Sequence, residues 1–132
     1  MSARVTAPDL DEMTTMAEAA LESLPAELVG LVRGVAIRVV DFPDEDTLAE
    51  MGLESPFDLL GLYSGVPFGE AETAFVRQQP DMIFLYRRPI LDYWCDTGEP
   101  LDHVVRHVLI HEIGHHFGFS DEDMEAIEAS AE

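Results

Sequence analysis

A chain of 132 residues, 47% of them apolar, is long enough to bury roughly two-thirds of its unfolded surface, and it reads as one globular domain over residues 1–132. Seven basic residues against 27 acidic ones leave a formal net charge of -20, a field that repels a phosphate backbone and so excludes nucleic acid as a partner. No apolar run approaches the roughly 18 residues of a membrane span, the first thirteen residues lack the apolar stretch of a signal peptide, and the single Cys95 cannot close an internal disulfide, so a cytoplasmic setting is expected.

Asp9 or Asp11 can cap a first helix through Met13 to Leu24, with Met13, Met16, Ala20 and Leu24 near one stripe. A short helical turn is expected after Pro25, through Glu27, Leu28 and Leu31. Val35 to Val40 is β-branched and reads as a strand ending before Phe42-Pro43. The acidic segment Asp44 to Glu54 reads as a solvated surface loop or short helix. A second strand is expected over Leu59 to Gly65, then a loop or edge ribbon from Val66 to Gln79, where Pro67 and Gly69 weaken a strand. Met82 to Tyr86 is the clearest remaining strand, and its Ile83 to Tyr86 portion could take up an extended peptide by adding backbone hydrogen bonds. Pro89 suits the first position of a short helix ending near Gly98, within which Cys95 beside Trp94 reads as a buried structural thiol.

A long helix follows from Leu101 to Phe117. It is apolar on two adjoining stripes, Leu101, Val104, Val105 and Val108, then Leu109, Ile113 and Phe117, so it is expected to be largely buried. Gly118 reads as the left-handed residue that closes it. Ser120 and Asp123 then form a capping box for a last helix to about Ala129. The elements are mixed rather than strictly alternating, which makes the class α+β.

The long helix carries the chemistry. His111 and His115 bracket Glu112 in an H-E-x-x-H pattern, and positions i and i+4 share a helix face, so both imidazoles can close on one metal ion. Glu112 lies about 100° round from His111 and can reach a metal-bound water as general base without being a ligand. Asp121, six residues after His115 and beyond the glycine turn, is the expected third ligand, with Asp123 and Glu125 as nearby competitors. The donor set points to one Zn2+ per chain, although nickel or cobalt can enter such a site. His103 and His107 drift round the helix by about 40° per i+4 step, and His107 reads as a surface or cavity histidine. His116 is expected to pack or orient the turn, and Met124 to lie in helix core. Tyr63 and Tyr86 are ordinary half-buried strand aromatics, though either phenol could face an oxyanion.

The segment His111 to Asp121 resembles the H-E-x-x-H-x-x-G-x-x-D signature of the small zincin-like metallopeptidases, the minimal zincins. Leu60 to Pro67 and Ile83 to Pro89 look like strand motifs of the same family, so the similarity runs from about residue 33 to 128. The resemblance implies a compact α+β fold, a small twisted sheet packed on the H-E-x-x-H helix, with flanking N- and C-terminal helices. It also implies His111, His115 and Asp121 as zinc ligands and Glu112 as the catalytic acid/base.

Two functions are compatible with this sequence. One is a zinc-dependent metallopeptidase that hydrolyses peptide bonds of peptide or unfolded-protein substrates through a metal-activated water. The other is a non-enzymatic, zinc-stabilised binding or regulatory module on the same fold. Oligomeric state and cleavage specificity are not encoded in any motif of the chain.

Overall fold

Asp9 opens the first helix by a reciprocal capping box: its carboxylate accepts from the Glu12 N–H at 2.7 Å and its own N–H donates to the Glu12 carboxylate at 2.9 Å. In the computed structural model, which describes residues 6–32, 34–65 and 81–130, this helix, α1, spans Leu10–Glu22 and buries Met13 and Ala17. The start lies three residues before Met13, because the cap and its acidic first turn recruit Leu10 to Glu12 into the helix. A short helix α2 (Ala26–Val29) and a single 3-10 turn follow Pro25 as expected.

The β-branched run forms β1 (Ala36–Val40). Asp44 caps α3 (Glu45–Met51), which decides the acidic segment in favour of a short helix. The next strand, β2, is Gly61–Ser64, and β3 is Met82–Tyr86. The three lie in the order β1-β3-β2, with β1 parallel and β2 antiparallel to β3. The Val66 to Gln79 expectation lies outside the described residues.

This order corrects one expectation. The strand Ile83 to Tyr86 is central, paired on both sides, with Ile83 and Leu85 fully buried, so it has no edge to offer a peptide. Its hydrophobicity reflects that central place. Helix α4 (Arg87–Thr97) begins two residues before Pro89 rather than at it, continuing directly from β3. Proline is tolerated anywhere in a first turn, whose N–H groups have no partner within the helix. There the Arg88 N–H donates to the Asp41 carbonyl at 3.0 Å, while the Arg87 side chain holds the Pro8 carbonyl and the Asp41 carboxylate. Cys95 is a second correction. It sits on the solvent-facing side of α4 and is exposed, since the buried stripe of that helix is set by Pro89 and Ile90 instead.

Helix α5 (Leu101–Phe117) is the spine of the molecule, packed against α1, α4, β2 and the final helix α6 (Asp121–Ser130). Both of its apolar stripes are buried, from Leu101 and Val104 through to Ile113, against the Val39, Ile83 and Leu85 face of the sheet and against Met13 and Ala17. The result is an α+β arrangement: a small mixed sheet covered by α1 and the long helix. None of the described helices is long and apolar enough to cross a membrane.

Candidate metal centre

The position of every site residue follows from how α5 ends. Gly118 takes a left-handed conformation at φ 83°, and the Phe119 N–H returns to the Gly114 carbonyl at 2.8 Å, closing the last turn. Ser120 and Asp123 then form the expected capping box, at 3.1 and 3.2 Å, which starts α6 and folds it back along α5. The two helices touch where α5 has no side chain. A Cβ on Gly114 would collide with Met124, which is fully buried there. Met124 is therefore core, as its place in the pattern suggests.

One turn beyond Met124, Glu128 comes to lie against the histidine row of α5. Its carboxylate accepts from His107 Nδ1 at 2.8 Å and from His111 Nε2 at 3.1 Å. The His107 and His111 rings lie 4.1 Å apart and those of His111 and His115 5.9 Å apart, so the three imidazoles form a continuous row. Donor atoms of His107, His111 and Glu128 all fall within 4.8 Å of one another. His111, His115 and Asp121 do not form so tight a group among the described residues; His107, His115 and Asp121, the last at the first residue of α6, are all exposed. Glu128 is the residue that sequence reasoning missed. It stands 17 residues from His111, and only the Gly118 turn and the Gly114–Met124 contact set its position.

On the other side of α5, Glu112 points at β2. Its carboxylate is mostly buried, which pushes its pKa up from 4.5 to about 7, while the backbone N–H of Tyr63 donates to it and pulls part of the way back. β2 passes close to α5 at Gly61, where a Cβ would meet the Val108 side chain. A cavity of about 270 Å³ opens beside Glu112, lined by His115, His116 and Tyr63, with Met51 and Leu59 as an apolar wall. His116 stacks on Tyr63 at 3.8 Å, which is the packing role its sequence position suggested, and leaves its Nε2 buried without a hydrogen-bond partner. The Tyr63 hydroxyl donates to Asp81 at 2.9 Å. Tyr86 is nearly fully buried, and burial together with the charges of Asp44 and Glu112 raises its pKa to about 12, so it stays a neutral phenol.

A family model described as zincin-like metallopeptidase matches residues 32–131, which takes in β1 through α6 and every residue of the site. The chain belongs to this family. No curated protein matches it. The zincin-like domain thus has its signature helix in the middle of the core, with the H-E-x-x-H face shared between a carboxylate cavity and the back of α6. Its donors suit the ion the family implies. Imidazoles on successive turns, ring centroids 5.9 Å apart, with carboxylates supplied by α6, form the nitrogen-and-oxygen set that zinc takes.

Proposed function

We propose that this zincin-like domain is a zinc-dependent peptidase acting on flexible polypeptide, with Glu112 as general base. The observation that carries the proposal is the Glu112 carboxylate: buried, raised to about 7, oriented by the Tyr63 N–H, and facing a cavity that also receives His115. A surface helix glutamate has no reason to be held in this way.

His111 and His115 would hold the ion with Asp121 as the third ligand. When bound, zinc makes a coordinated water acidic near neutral pH and polarises a carbonyl oxygen. Glu112 takes a proton onto its carboxylate from the attacking water and returns it to the leaving amine. The Tyr63 N–H would help to hold the Glu112 carboxylate in place, and Met51 and Leu59 give the cavity an apolar side against which a substrate side chain can rest. The substrate would enter the cavity beside Glu112, against Leu62 and Tyr63 of β2.

The test is Glu112→Gln, which keeps the shape of the side chain and removes its basicity. Zinc content should stay at one per chain while peptide cleavage falls by roughly 10²–10⁴-fold, the usual worth of a general base. Unchanged turnover would end the proposal. Zinc retained by a wild type that cleaves no peptide would favour a zinc-stabilised binding module instead.

A further inference from the structure

We infer that this chain has a second metal-binding set, His107, His111 and Glu128, which shares His111 with the H-E-x-x-H pair and takes a divalent ion of the Zn2+, Co2+ or Ni2+ class. The inference concerns ligands on the α6 side of α5 and does not depend on Glu112 being a base.

The geometry gathers the three side chains close to ligand spacing, with His107 at the solvent-exposed end of the group. Three ligand atoms about 2.0–2.2 Å from a tetrahedral ion lie roughly 3.3 Å from one another. One Glu128 oxygen stands 2.8 Å from His107 Nδ1 and the other 3.1 Å from His111 Nε2, so these two contacts have to open by roughly half an ångström or less to admit an ion between carboxylate and imidazoles. All three donors lie within 4.8 Å. The two imidazoles sit at i and i+4 on the rigid α5, and the carboxylate is two-thirds or more shielded, at 23% side-chain exposure. Burial of Met124 over Gly114 and of Ile127 on the same helix fixes α6, so the carboxylate is preorganised rather than carried on a loose surface helix. Imidazole nitrogen with carboxylate oxygen suits borderline divalent ions and disfavours Ca2+ or Mg2+, which prefer all-oxygen shells.

Sharing has a consequence. An ion held by Glu128 occupies His111 from the α6 side, whereas the Glu112 carboxylate faces β2. The H-E-x-x-H pair is then incomplete, and the two sets exclude each other, so the chain takes one ion and not two.

The experiment removes the H-E-x-x-H set and asks whether zinc still binds. The metal-stripped full chain carrying His115→Ala with Asp121→Asn is titrated with Zn2+ against a chromophoric chelator. It should bind one equivalent, and adding either Glu128→Gln or His107→Ala should weaken that binding at least tenfold. Long-range 1H–15N spectra of the zinc-loaded double variant should show His107 and His111 shifting while His103 does not, a readout independent of the added substitutions. No zinc bound by the double variant, with wild type binding normally, overturns the second set and leaves the peptidase proposal standing. Binding that Glu128→Gln and His107→Ala leave untouched overturns it as well. Failure of wild type itself to bind zinc removes both.

Discussion

Glu112 shows what one buried carboxylate does to a fold. Its pKa is raised from 4.5 to about 7 by burial, so between those values the folded chain holds a proton that the unfolded chain releases. Stability therefore falls as pH rises from 4.5 to 7, and above 7 the full cost is present. The shift corresponds to on the order of 3 kcal/mol. In the metal-free protein Glu112→Gln should raise the melting temperature over wild type at pH 8 and leave it nearly unchanged at pH 4. Equal melting at both values would mean that the carboxylate is solvated. Tyr63→Phe breaks the hydroxyl contact with Asp81 but keeps the His116 stack, so it should cost about 1 kcal/mol in a urea titration. At this scale the sequence was legible where chemistry follows from local spacing. His111, Glu112 and His115 could be singled out because one helix sets their relation. The Glu128 contact could not, since no spacing encodes the return of α6. Cys95 misled because its apolar neighbour Trp94 says nothing about which side of α4 faces inward.

The interlock of α5 with α6 is the element on which the site depends. Gly114 lies inside the H-E-x-x-H pattern, where alanine would improve helix propensity by about 1 kcal/mol. Here a Cβ would meet Met124, so Gly114→Ala should instead destabilise by roughly 1–3 kcal/mol and separate Glu128 from the histidine row. A urea midpoint above that of wild type would show that α6 is free to shift. Capping residues made most element boundaries readable, with Asp9, Gly118 and the Ser120–Asp123 box all acting as expected. Strand order was not readable. Met82 to Tyr86 is apolar throughout, so it reads as a strand without showing which residues face the core or that β1 and β2 lie on either side of it.

At the scale of the whole molecule, the formal charge of -20 sets self-repulsion against a core built on one helix. Raising sodium chloride from low concentration to about 0.5 M shortens the Debye length below roughly 5 Å and should raise the melting temperature. A melting temperature independent of salt would mean that the acidic groups are already dispersed enough not to interact. Composition and element pattern sufficed for the α+β class, because a mixed order of helices and short strands leaves few other layerings. The most direct test of the peptidase proposal is cleavage of a quenched-fluorescent peptide library by three samples measured together: zinc-loaded wild type, chelator-stripped wild type, and zinc-loaded Glu112→Gln. Cleavage by the first alone is the expected result. Cleavage of equal rate by zinc-loaded wild type and zinc-loaded Glu112→Gln would overturn the role of Glu112, and no cleavage by any of the three would overturn the enzyme itself.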